Sequence, residues 1–402
     1  MRRSPWTDEF LDAMRQQGDP LADATVQRIF EDGEVEAVNR LFGRLLAGEI
    51  PVAEAPKPLA DFLERSAILP DWTDATAIAR AEQLAVDYGF LCAGVLYTAG
   101  LPTSYLSRSI AAVLASTLRL EMPELMWRRL IETGQFVFNV SNTGGMRPNG
   151  GGVRSTQQVR LMHAAVRHLV LTRLAARHPD ARAPALGRAL VSFEWDASLG
   201  HPVSQEDLAW TLLAFSYSVL RGLEQLGAVL SDEQKDAYVH LWSVVGHVLG
   251  VDRRLLCANF AEAAELFGRL ERRVAVDSPA GRNLVNALVE FVAPVVPRSL
   301  IRALIRYHLG DGLAGLAGVH ASGPGLLLQT VTVNGVRFLV EKVTFLYRES
   351  YLIRWLGEHA TRRIVGRIVS TSRAHGRGAF QLPAHLAARL GPTKGDRGAT
   401  GA

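Results

Sequence analysis

Helix punctuation dominates this sequence and leaves little room for another fold. Ser231-Asp232-Glu233-Gln234 has the spacing of a capping box, and the apolar repeat behind it runs to Leu249, with Gly250 to close it. Ser278-Pro279 sets an N-cap serine before a proline at the first helical position, and Pro294 ends the helix that this pair opens. Ser204-Gln205-Glu206-Asp207 opens another helix, read as running to about Leu226, with Gly227 after it. Residues 159–176 repeat apolar side chains at spacings of three and four, and Asp74 to about Gly100 is apolar almost all round, the pattern of a buried helix. Strand signals are scarce; one possible hairpin turn lies at Asn334-Gly335. The expectation is an all-α fold, a single large helical domain with a globin-like helical core and extra helices.

Length and composition set the outer bounds. At 402 residues, 48% apolar and 21% charged, the chain can bury a full-sized core. The net charge is only +4, and outside a basic segment near the C-terminus acids and bases are interleaved, so no nucleic-acid partner is expected. Cys92 and Cys257 are the only cysteines and read as buried, reduced thiols. No Cys-x-x-Cys-His occurs, so any haem would be held non-covalently. Arg2-Arg3 is followed by no apolar stretch and no eighteen-residue apolar run exists, so the expectation is a cytoplasmic protein without a spanning helix. Residues 337–377 carry nine Lys/Arg against Glu341, Glu349 and Glu358, with Tyr347, Tyr351 and Trp355 among them. Such amphipathic segments either touch an anionic membrane peripherally or dock on the domain. The expected divisions are an N-terminal helical extension at 1–68, a core at 69–325, basic C-terminal helices at 326–381 and a disordered tail at 382–402. The glycine-rich segment Asn142 to Gly152, between two helices, reads as a loop of the kind that often carries function.

Two helices concentrate the chemistry. In Val159-Arg160-Leu161-Met162-His163-Ala164-Ala165-Val166-Arg167-His168, a step of 100° per residue puts Arg160, His163 and Arg167 on one face. That set suits a haem site, with imidazole on iron and guanidiniums on propionates; the plain alternative is a surface stripe with an incidental histidine. His168 joins it as a further cofactor-binding candidate, although it points well away. Upstream, Arg129, Glu132 and Thr133 share a face at spacings of three and four: a polar cluster on a pocket, or a salt-bridged surface. His240 and His247 lie two turns apart, too far for one metal ion, and read as core or supporting histidines. Zinc motifs are absent, and neither Gly-x-Ser-x-Gly nor Gly-x-Gly-x-x-Gly is placed after a strand.

Taken in order, six segments resemble the latex-clearing (rubber oxygenase) family and the related oxygenases of the mycophenolic acid pathway. They are Leu69-Pro-Asp-Trp-Thr-Asp74, Arg128-Arg-Leu-Ile-Glu-Thr133, Val159 to Arg167, Trp195-Asp196, Pro202 to Asp207 with Thr211, and Ala237 to Gly250. The resemblance implies an all-helical protein enclosing a haem-b pocket, with His163 as the proximal iron ligand and Arg129 and Thr133 in the distal pocket. It implies dioxygen as cosubstrate and cleavage of a carbon–carbon double bond in a polyisoprenoid or other apolar, lipid-like isoprenoid. Characterised members resemble one another in carrying a lysine between that arginine and threonine; here the position is Glu132. A further family glutamate, acting as base upstream of the arginine, has no counterpart either, because residues 101–120 contain no acid. Glu132 is therefore expected either to take the base role or to neutralise Arg129. Alternatives are a haem peroxygenase or monooxygenase of a small apolar molecule, and a non-catalytic haem or lipid carrier.

Overall fold

The computed structural model describes residues 5–32, 55–117, 123–171 and 195–320, with 334, 335 and 338. In chain order the helices are α1 (Asp8–Arg15), α2 (Pro20–Asp32), α3 (Lys57–Ser66), α4 (Ala75–Val95), a π-helical turn (Leu96–Gly100), α5 (Leu101–Ser104), α6 (Arg108–Thr117), α7 (Pro123–Ser141), α8 (Gly151–Leu171), α9 (Gln205–Phe215), α10 (Tyr217–Gln225), α11 (Asp232–Leu249), α12 (Phe260–Val274), α13 (Pro279–Val292) and α14 (Arg298–Leu316). Among the described residues there is no strand, only an isolated bridge between Ser107 and Ala275. The all-α expectation holds.

The caps act where the sequence put them. Ser231 and Ser204 each close a capping box, Ser278 caps α13, and Gly250 takes the left-handed conformation (φ +88°) that ends α11. One expectation fails: the helix opened by Ser204 does not reach Leu226. It breaks at Ser216 (ψ −76°), whose hydroxyl turns back to the Leu212 carbonyl at 2.8 Å, and α10 starts at Tyr217. The long apolar helix similarly changes to π geometry after Val95. Asn334 and Gly335 are helical, not a hairpin turn, and apart from Phe338 the basic segment 337–377 lies outside the described residues, as does the tail after 382.

α4 and α11 form the central pair, with Trp210 of α9 and Trp242 of α11 fully enclosed beside them. Trp72 fastens the start of α4 to α11. His240 and His247 meet its ring edge-on at 5.7 and 6.3 Å, and the Arg253 guanidinium lies 4.5 Å from its centroid. His240 Nε2 also accepts the Asp74 backbone N–H at 2.9 Å. Both histidines are therefore structural, as their spacing suggested. Both cysteines are free, and burial pushes each thiol up to about 12.

The N-terminus of α9 is a junction. Gln205 donates to the carbonyls of Gly18 (2.8 Å) and Gly250 (3.0 Å) and accepts from Asp252 N (2.7 Å). Glu206, with a side chain 2% exposed, holds Arg15 of α1 at 2.5 Å and Arg273 of α12 at 2.8 Å. Arg273 also reaches Asp8 and Asp12 of α1. No break in packing marks residue 68: Trp6, Leu11 and Met14 are buried in the main core. The residue before this junction, Val203, sits at φ +51°, a strained conformation for a β-branched side chain.

Glu206→Gln should lower the unfolding free energy by about 3 kcal/mol, because it strips a buried carboxylate from two arginines. Urea denaturation reads this directly, and a loss below about 0.5 kcal/mol, ordinary for a surface change, would contradict the junction. Asp207 carries a pH dependence. Burial raises its carboxyl to about 6, against hydrogen bonds from Ser109 and Ser204 that favour the ion. The folded chain thus keeps a proton that the unfolded chain loses near the ordinary value, so this contribution to stability falls as pH rises between about 4 and 6 and levels off above. Asp207→Asn should flatten the urea midpoint across that window relative to the parent; parallel curves would be the contrary result.

Candidate active site

α7 and α8 form an antiparallel hairpin, and the side chains singled out in the sequence lie on it. Its turn is the glycine-rich segment. Each key glycine there has a steric reason: a Cβ on Gly145 would stand 2.2 Å from the Asn139 carbonyl oxygen, and one on Gly150 would stand 2.3 Å from that of Gly145. Glu82 of α4 is buried in spite of its charge and accepts Gly144 N–H at 2.8 Å, pinning the turn to the central pair; burial raises its carboxyl. The loop thus sets the hairpin.

His163 lies in the middle of α8. Its Nδ1 is shut off from solvent and has no hydrogen-bond partner. Burial, then the positive charges of Arg167 and Arg129, push its pKa down to about 3, so the ring is neutral and has an electron pair to give. Arg129 of α7 faces it. Arg129 Nη1 lies 2.9 Å from Met162 Sδ and 4.0 Å from the Glu132 carboxylate, and burial lowers its pKa. The Thr133 hydroxyl donates to the Arg129 carbonyl at 2.9 Å, so its proton is spent on the backbone while its oxygen can still accept.

His163 and Arg129 are deep enough for burial to shift their titration, yet this part of the hairpin keeps accessible surface: His163 is only half-buried, and the side chains of Arg129 and Glu132 are 29% and 39% exposed. Residues 131–139 of α7 are all half-exposed, although α4, α8 and α13 pack around the helix. His163 and residues 131–139 thus leave accessible surface on this part of α7 and α8. A surface groove of about 400 Å³ between α2 and α3, lined by Pro20, Arg28, Phe62 and Arg65, contains none of these residues.

The other α8 candidates go elsewhere. Arg160 pairs with both oxygens of Asp19, at 2.5 and 2.9 Å, and donates to the Val248 carbonyl at 3.1 Å. Arg167, almost wholly buried, pairs with Asp23 at 2.7 Å and donates to the strained Val203 carbonyl at 3.0 Å, leaving Nη2 buried without a partner. His168 stacks on Phe30 of α2 at 4.8 Å. Arg160 and Arg167 are thus engaged by carboxylates at the start of α2, and His168 by Phe30 of the same helix, while the charge of Arg167 is still felt at His163. Turning from α2 toward α7, the helix shows Arg160 and Arg167, then His163, then Met162. The sequence reading missed Asp19, Asp23, Met162 and Glu82. A partner 141 or 144 residues away leaves no local signal; Met162, next to His163, read as an ordinary apolar position.

The profile of the ER-bound oxygenase mpaB/B'/rubber oxygenase catalytic domain matches residues 80–338, and the chain belongs to this family. It is similar to the rubber oxygenase of Streptomyces sp. (strain K30), 26% identical over 371 residues, which cover 88% of this chain and 83% of that one. A solved structure of the latex clearing protein LCP in its closed state aligns with a TM-score of 0.65 at 24% identity, over 88% of this chain and 91% of that one, a likeness of fold. The family resemblance read from the six segments is thereby established, and with it an oxygenase.

Asp19→Ala should cost about 3 kcal/mol, since it leaves the Arg160 guanidinium buried without its carboxylate. Asp23→Ala should cost a similar amount, since the Arg167 side chain it leaves without a carboxylate is only 2% exposed. Calorimetric unfolding of the two variants checks this; a loss below about 0.5 kcal/mol in either would contradict the seam.

Proposed function

We propose that this chain is a haem-b-dependent oxygenase that uses dioxygen to cleave a carbon–carbon double bond in an apolar isoprenoid, with His163 as the residue that would hold the iron. The observation that carries the reading is His163 itself: a neutral imidazole with an unpartnered buried nitrogen, close to Arg129 of the opposite helix. That donor set fits haem, which takes one imidazole from the protein. The rubber oxygenase of Streptomyces supports polyisoprene as the substrate class. Among the described residues no single helix is long and apolar enough to cross a membrane.

When bound, haem would supply iron to bring dioxygen to the double bond. The protein's share is positional. His163 is held in register by the Arg160–Asp19 and Arg167–Asp23 pairs on either side of it. Arg129 presents a cation whose remaining N–H groups can donate to developing negative charge on oxygen. Thr133 can accept a hydrogen bond at the same face of α7. Glu132, 4.0 Å from Arg129, is beyond a hydrogen bond to it, a geometry that favours the base role over full neutralisation. As base it would take an allylic proton from the substrate. An uncharged polyene needs no ionic recognition, and the half-buried Phe136 and Val137 of α7 and Leu91 of α4 supply apolar wall.

Incubation with short polyisoprenoids under oxygen should give a product pair with new aldehyde and ketone ends. A hydroxylated product would favour the monooxygenase reading instead. Glu132→Gln should slow cleavage by about 100-fold, as loss of a general base does, without loss of haem. Turnover within about twofold of the parent would remove Glu132 from the mechanism.

A further inference from the structure

The contact between Arg129 and Met162 has a chemistry of its own. A buried guanidinium ordinarily takes a carboxylate or carbonyl, as Arg160 and Arg167 do with Asp19 and Asp23. Arg129 instead lays Nη1 2.9 Å from the Met162 sulfur, while its nearest carboxylate, Glu132, stands at 4.0 Å. Met162 is 8% exposed and directly precedes His163, so one turn of α8 carries both the imidazole and the group touching the arginine. A thioether is a weak, neutral acceptor on a flexible stem. It can orient a guanidinium without neutralising it and can give it up when a better acceptor arrives.

We infer that Met162 is a positioning residue of the oxygenase site: its sulfur holds the Arg129 guanidinium in place between α7 and α8, ready to transfer to an oxygen atom of a reactant beside it. This rests on the function proposed above. A carboxylate at residue 162 would capture the arginine, and an aliphatic side chain would leave it unheld. Met162→Leu conserves volume and apolarity, so the fold should tolerate it. Met162→Gln restores an acceptor of similar length.

The test has two arms on the full-length, haem-loaded protein. In the first, methyl-¹³C-methionine spectra are recorded for the parent, Met162→Leu, which assigns the Met162 resonance, and Arg129→Lys. The Met162 methyl signal should move in Arg129→Lys while the methionines remote from α7 stay fixed; an unmoved signal overturns the contact. In the second, oxygen uptake is measured at varied dioxygen. Met162→Leu should raise the KM for dioxygen about tenfold with kcat within about twofold, the loss of one weak hydrogen bond to a charged group, and Met162→Gln should recover most of it. Equal KM values in parent and Met162→Leu, or a fall confined to kcat, overturn the positioning role. Absence of oxygen uptake in the parent would overturn the oxygenase reading, and with it the role, while the first arm still decides the contact.

Discussion

The Asp19–Arg160 pair is the contact on which the rest of the structure closes. Its two bonds join α2 to α8, and Arg160 goes on to the Val248 carbonyl at the end of α11. Gly250, which ends α11, lies directly over the pair: a Cβ there would meet Asp19 Oδ2 at 2.4 Å and Arg160 Nε at 2.6 Å. Gln205 binds the Gly250 carbonyl and the Gly18 carbonyl beside Asp19. Four helices, α2, α8, α9 and α11, therefore meet at one buried ion pair. Desolvating two charges is costly, and it is offset here by a bidentate geometry with the spare donors satisfied. The result is a rigid mount for the helix that carries His163.

The opposite side of α8 is built on a different principle. Toward α2 its arginines are paired with carboxylates, with Arg167 Nη2 left over; toward α7 it offers a neutral imidazole and a thioether, and the facing arginine stands 4.0 Å from the Glu132 carboxylate. Burial keeps the imidazole neutral and lowers the pKa of Arg129, against the charge of Glu132. One helix thus carries ion pairs on one side and neutral donors on the other. On the proposed function, that second side is where a cofactor and an oxygen-bearing reactant would find partners.

Local chemistry was readable in advance; long-range pairing was not. Capping boxes at Ser204 and Ser231, the serine–proline start at Ser278 and the glycine stop at Gly250 were legible because their signals span three or four residues. The family segments led to His163, Arg129 and Thr133, and these do lie on facing helices. Helical spacing alone did not reveal the partners of Arg160 and Arg167, because 100° steps give a shared face but not what that face meets. Asp19 and Asp23 lie more than 130 residues away and carry no motif. The break at Ser216 was hidden for a related reason: a serine inside an apolar run reads as a tolerated helix residue until its hydroxyl turns on its own backbone.

The central claim is that His163 holds haem iron. Its most direct test is the absorption spectrum of the purified protein, oxidised and dithionite-reduced, beside His163→Ala prepared in the same way. The account predicts a Soret band and a haem-b pyridine hemochrome in the parent, both lost in the variant while its helical circular dichroism is retained. A parent that stays colourless after haem is supplied, or a variant that keeps the parent's spectrum, would contradict it.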